Sequence, residues 1–77
     1  MENKIYLVTA DWCTKCPLVK GAIIDKGIEV EFIDAEQQPE IPSELGIMSL
    51  PTLIDNRDGD SKIYAGLNSS MGFVNKQ

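Results

Sequence analysis

Apolar residues along this chain come in short bursts set apart by polar punctuation, and the spacing within each burst predicts its structure. Between Lys4 and Thr9 the run Ile-Tyr-Leu-Val is continuous, with β-branched and aromatic members. That pattern predicts a strand buried on both faces. Thr9, Ala10 and Asp11 form a loop. Thr14 is then expected to cap a helix reaching about Lys26. Pro17 falls in its first turn, where a missing backbone N–H costs little. Cys16, Val19 and Ile23 share one stripe with Ala22 beside it, and Leu18 and Ile24 widen the apolar surface, as for a helix lying on a sheet. Gly27 is expected to close the helix in the left-handed conformation.

The segment from Glu29 to Asp34 alternates and then turns apolar, which predicts a second strand. Strand, helix and strand in this order form a βαβ unit with parallel strands and a right-handed crossover. After the polar stretch from Ala35 to Gln38, a short helix is expected from about Pro42 to Leu45, stopping at Gly46. Pro51 to Asp55 reads as a third strand, with proline at its first residue. Asn56 to Asp60 is a turn cluster containing Asp-Gly. Lys62 to Ala65 follows as a fourth strand, antiparallel to the third. Asn68 or Ser69 is expected to cap a last helix in which Met71 and Val74 share a face, with Phe73 nearby. The order β-α-β-α-β-β-α describes an α/β fold, a four-stranded mixed sheet with helices on both faces.

A chain of 77 residues suggests a single domain, 1–77. At that size roughly 60% of the unfolded surface is buried, so every apolar burst must contribute. The formal charge of −5 lacks the basic footprint that nucleic acid or an anionic membrane requires. No apolar run approaches the roughly 20 residues that span a bilayer, and the start Met-Glu-Asn-Lys lacks a signal peptide's order. A cytoplasmic location and a monomer are therefore expected. Histidine is absent, which removes the commonest general base and the commonest metal ligand.

The candidate chemistry lies in Trp12-Cys13-Thr14-Lys15-Cys16-Pro17, which holds both cysteines. A Cys-x-x-Cys pair at a strand-to-helix junction has a specific use. Free N–H groups and the helix dipole stabilise a thiolate on Cys13, while Cys16, one turn inside the helix, resolves the mixed disulfide. Lys15 adds a positive field and Asp11 opposes it. Three alternatives stand beside dithiol–disulfide chemistry. A zinc site would need two chains to pool four cysteines. A structural disulfide would close a loop too small to constrain the unfolded chain. The third is an inert pair.

The chain resembles the thioredoxin/glutaredoxin superfamily over nearly its whole length. Trp12-Cys13-x-x-Cys16 is similar to the thioredoxin active-site entry, and Leu45 to Leu53 resembles the stretch that ends in hydrophobic residue, cis-proline, threonine. The resemblance implies a thioredoxin-like fold. It also implies a cis Leu50–Pro51 bond beside the disulfide, and a Leu50 backbone that holds an extended substrate by strand addition. It places Trp12, Lys15, Leu50 and Pro51 around the substrate. It puts Leu7 where thioredoxins carry a buried aspartate, so that proton relay is absent.

Between the cysteines stand Thr14-Lys15, matching neither the Gly-Pro of thioredoxins nor the Pro-Tyr of glutaredoxins. Ala10 replaces the glutaredoxin lysine. Gly66 keeps one glycine of the glutaredoxin pair. If glutathione is the reductant, the resemblance implies contacts from Ser49, Leu50, Gly66 and Asn68. It implies no tightly bound cofactor and no metal. The expected function is reduction of protein disulfides, with thioredoxin reductase or glutathione as electron source and ribonucleotide reductase as a candidate target. A glutathione-dependent glutaredoxin and a non-enzymatic, redox-gated protein-binding module are the alternatives.

Overall fold

The computed structural model describes residues 2–77 and contains β1 (Ile5–Thr9), α1 (Cys16–Lys26), β2 (Val30–Asp34), α2 (Glu40–Leu45), β3 (Thr52–Asp55), β4 (Lys62–Ala65) and α3 (Gly66–Asn75). The expected order of elements is the observed one. The strands lie in the order β2-β1-β3-β4. β1 pairs parallel with β2, Leu7 opposite Phe32, and antiparallel with β3, Leu7 opposite Leu53. β3 and β4 form the hairpin read from Asp-Gly, with Thr52 opposite Ala65.

All five residues of β1 are buried, because the strand is central and covered on both faces. Ile5 and Leu7 meet Val19 and Ile23 of α1, Leu53 of β3, and Phe73 and Val74 of α3. Tyr6 and Val8 face the other way, packing with Ile33 and Ile54 and with Ile41 and Leu45 of α2. The period-two alternation of a strand thus feeds two separate cores. Burying each aliphatic side chain contributes about 1.5–3 kcal/mol.

Both βα-type helices end as their glycines predict. Gly27 and Gly46 have φ values of 66° and 68°. After α1, Ile28 N–H reaches back to Ile23 O at 3.2 Å; after α2, Ile47 N–H reaches Pro42 O at 2.8 Å. These bonds satisfy carbonyls at the helix ends.

The helix starts differ from expectation. α1 begins at Cys16, with Lys15 in the capping position and no side-chain cap, so Thr14 is not its cap. α2 begins at Glu40 after Pro39, and Pro42 lies inside its first turn. α3 begins at Gly66, and Asn68 and Ser69 lie within it instead of capping it. Leu18 and Ile24 are 60% and 70% exposed and do not face the sheet. Only the Cys16, Val19, Ile23 stripe of α1 is buried. A helix apolar on several sides can turn just one of them inward.

Asp55, at the end of β3, accepts a two-pronged contact from Arg57: Nε to Oδ1 at 2.9 Å and Nη2 to Oδ2 at 3.0 Å. Arg57 also lies over the Phe73 ring, 5.6 Å from its centroid. The Arg57 hydrogen bond holds the Asp55 carboxyl below its ordinary 3.8, against the opposing effect of burial. A depressed carboxylate contributes stability above its unfolded value and loses it as the pH falls. Thermal melts of Asp55→Asn should therefore lie below the parent's at pH 7 and converge with them below 3.8. A gap that stays constant down to pH 2.5 would contradict the pairing.

Candidate active site

The loop between β1 and α1 carries Trp12, Cys13 and Lys15. Its first turn closes by a hydrogen bond from Cys13 N–H to Ala10 O at 3.1 Å. Cys16 is the first residue of α1, not one turn inside it. The two cysteines form a disulfide with Cα atoms 5.5 Å apart. They are not equivalent, with Cys13 8% and Cys16 2% exposed. Ala10 and the two cysteines form a small cluster, and Leu50 packs against it.

Leu50 is half-buried and Pro51 is buried. The peptide between them is cis, as the resemblance implied. Thr52 Oγ1 donates to Ser49 O at 2.6 Å, bracing the loop that carries Leu50. On the other side, the buried Ser70 hydroxyl of α3 lies 3.1 Å from Tyr64 O and 3.5 Å from Pro51 O. The Pro51 segment is thereby held from two directions.

A shallow groove of about 180 Å³ runs beside the disulfide, lined by Trp12, Ala35, Pro42, Ile47, Met48, Ser49 and Leu50. Trp12 is 68% exposed and Met48 98%. Such a bare apolar rim at a reactive centre suits contact with another macromolecule. Of the residues that the sequence places here, Leu50 packs against Cys13 and Cys16, Trp12, Ser49 and Leu50 line the groove, and Pro51 is buried directly after Leu50. Lys15 is exposed on the loop. Gly66 and Asn68 lie at the start of α3, following the Ala65–Thr52 pair. They neither line the groove nor belong to the cysteine cluster.

The sequence gives no role to Met48 or Ser70, and Thr52 enters there only as the threonine of the cis-proline motif. Met48 sits in an apolar run whose exposed members look like its buried ones. Ser70 did leave a trace. It stands three and four residues before Phe73 and Val74, on the stripe that α3 buries. Leu7, where the resemblance puts a thioredoxin aspartate, is fully buried among apolar side chains.

A thioredoxin domain model matches residues 1–76. The chain is similar to a thioredoxin of Methanocaldococcus jannaschii, 34% identical over 71% of this chain and 72% of that one. It is also similar to a thioredoxin of Listeria monocytogenes, 30% identical over 66% of this chain and only 55% of the longer relative. Among solved structures it resembles the glutaredoxin-like protein NrdH-redoxin of Escherichia coli. The TM-score is 0.72 and the identity 28%, covering 94% of this chain and 91% of that one.

Proposed function

The chain belongs to the thioredoxin domain family, and we propose that it is a monomeric dithiol–disulfide oxidoreductase whose substrates are protein disulfides. The observation that carries this reading is the unequal burial of two bonded cysteines beside an open apolar groove. In the reduced protein the Cys13 thiolate attacks one sulfur of the substrate disulfide. That bond breaks, one substrate thiolate leaves, and a mixed disulfide joins Cys13 to the other chain. The Cys16 thiolate then attacks the Cys13 sulfur and expels the second substrate thiolate. Two electrons have passed to the substrate, and Cys13–Cys16 is again a disulfide. The apolar rim of Trp12, Met48 and Leu50 supplies contact area that a small disulfide would leave unused.

Thioredoxin reductase is the electron source in this reading, ahead of glutathione. The curated relatives are thioredoxins, and NrdH-redoxin is described as having a thioredoxin-like activity profile on a glutaredoxin-like body. Ala10 in place of a lysine also favours it. Insulin reduction should proceed with thioredoxin reductase and NADPH. Hydroxyethyl-disulfide reduction with glutathione and glutathione reductase should stay near background. The opposite pattern would make the chain a glutaredoxin, and failure of both would favour the binding-module alternative. Ribonucleotide reductase is the specific target to which the compact-redoxin resemblance points. Deoxynucleotide formation driven by the reduced protein tests it.

A further inference from the structure

We infer that Thr52 is a positioning residue that aims the Leu50 N–H at the backbone of a bound substrate segment. Its hydroxyl is fully buried and donates to Ser49 O at 2.6 Å, the shortest side-chain hydrogen bond described in the molecule. Ser49 C=O and Leu50 N–H belong to one planar trans peptide, so they point in opposite directions. Holding the carbonyl toward the buried hydroxyl turns the N–H away from it. That N–H has no acceptor among the described residues. Leu50 itself packs against the cysteine pair and lines the groove. A free donor held in a fixed direction beside a disulfide suits an extended peptide, whose carbonyls alternate along the chain. The role extends the protein-disulfide reading given above and rests on it.

The test compares two disulfides, one that carries a peptide backbone and one that does not. Pre-reduced protein is mixed with a short cyclic peptide disulfide or with hydroxyethyl disulfide. The second-order rate constant is followed by the fluorescence of Trp12, the sole tryptophan. Thr52→Val keeps the shape and loses the donor. The ratio of the two rate constants, peptide over hydroxyethyl, should fall roughly three- to tenfold, the worth of one positioned hydrogen bond. Thr52→Ser, which restores the hydroxyl, should keep the parent ratio. A merely structural hydroxyl would change both rates together and leave the ratio unmoved, which would overturn the role. If Thr52→Val does not fold, Thr52→Ala and Thr52→Ser make the same comparison, since both lack the methyl group and differ only in the hydroxyl. A parent that shows no preference for the peptide would overturn the protein-disulfide reading and the positioning role with it. A parental preference that survives Thr52→Val overturns the positioning role alone.

Discussion

Replacing Cys16 with serine leaves the protein covalently attached to its substrate. In the mechanism proposed above, Cys13, the more exposed cysteine, makes the first attack, and Cys16, at 2% exposure, resolves the mixed disulfide. With the resolving thiol gone, the second exchange has no nucleophile within reach. Mass spectrometry under non-reducing conditions should show Cys16→Ser plus one substrate chain, and turnover of a protein disulfide should stop after the first exchange. Cys13→Ser should form no adduct and show no turnover, because the sulfur left behind is buried. An adduct on Cys13→Ser would reverse the assignment. Parental turnover by Cys16→Ser would remove the dithiol mechanism altogether. Adding dithiothreitol should release the trapped chain, which separates a disulfide from any other linkage.

The cysteine centre could be read from sequence because its determinants are local. The spacing, the strand before it and the helix after it lie within one stretch of chain. The helix ends were equally readable, since Gly27 and Gly46 occur where only a left-handed residue closes the helix easily. The helix starts were not. Lys15, Pro39 and Ala65 occupy the capping positions without any side-chain cap, so the polar residues that usually signal a start mislead. The outward face of α1 differs from its expectation for another reason. Leu18 and Ile24 are as apolar as Val19 and Ile23, and periodicity cannot say which side the sheet covers. The bond from Thr52 to Ser49 depends on how the chain turns between them, and neither residue type announces it. What the sequence leaves unread are contacts made by folding, and one of them, from Thr52 to Ser49, reaches the lining of the groove.

Leu7→Asp should leave the protein largely unfolded at pH 7 and partly folded near pH 4. Leu7 lies in the central strand with no exposed surface, among Val19, Ile23, Leu53 and Val74. Losing the leucine costs about 2–5 kcal/mol through lost burial and the cavity left behind. An unpaired polar group in its place costs about 1–3 kcal/mol more, and an ionised one costs more again. A domain of this size has about 4–12 kcal/mol in all, so the charged form cannot be carried. The buried carboxyl would hold its proton more tightly than in the unfolded chain. Its folded form is therefore favoured below the ordinary aspartate range and lost as the pH rises. Stronger acid also protonates Asp55, whose carboxyl titrates below its ordinary range, and costs its contact with Arg57, so the recovery is lost again at still lower pH. Far-UV circular dichroism at pH 4 and pH 7 reads the effect, and Leu7→Asn, which does not titrate, should show no such recovery. A Leu7→Asp protein that melts like the parent at pH 7 would mean that the core can house an acid after all. Without that, the position where the resemblance puts a thioredoxin aspartate is committed to packing, and the proton released when Cys16 attacks must leave by a route that no buried carboxylate at this position provides.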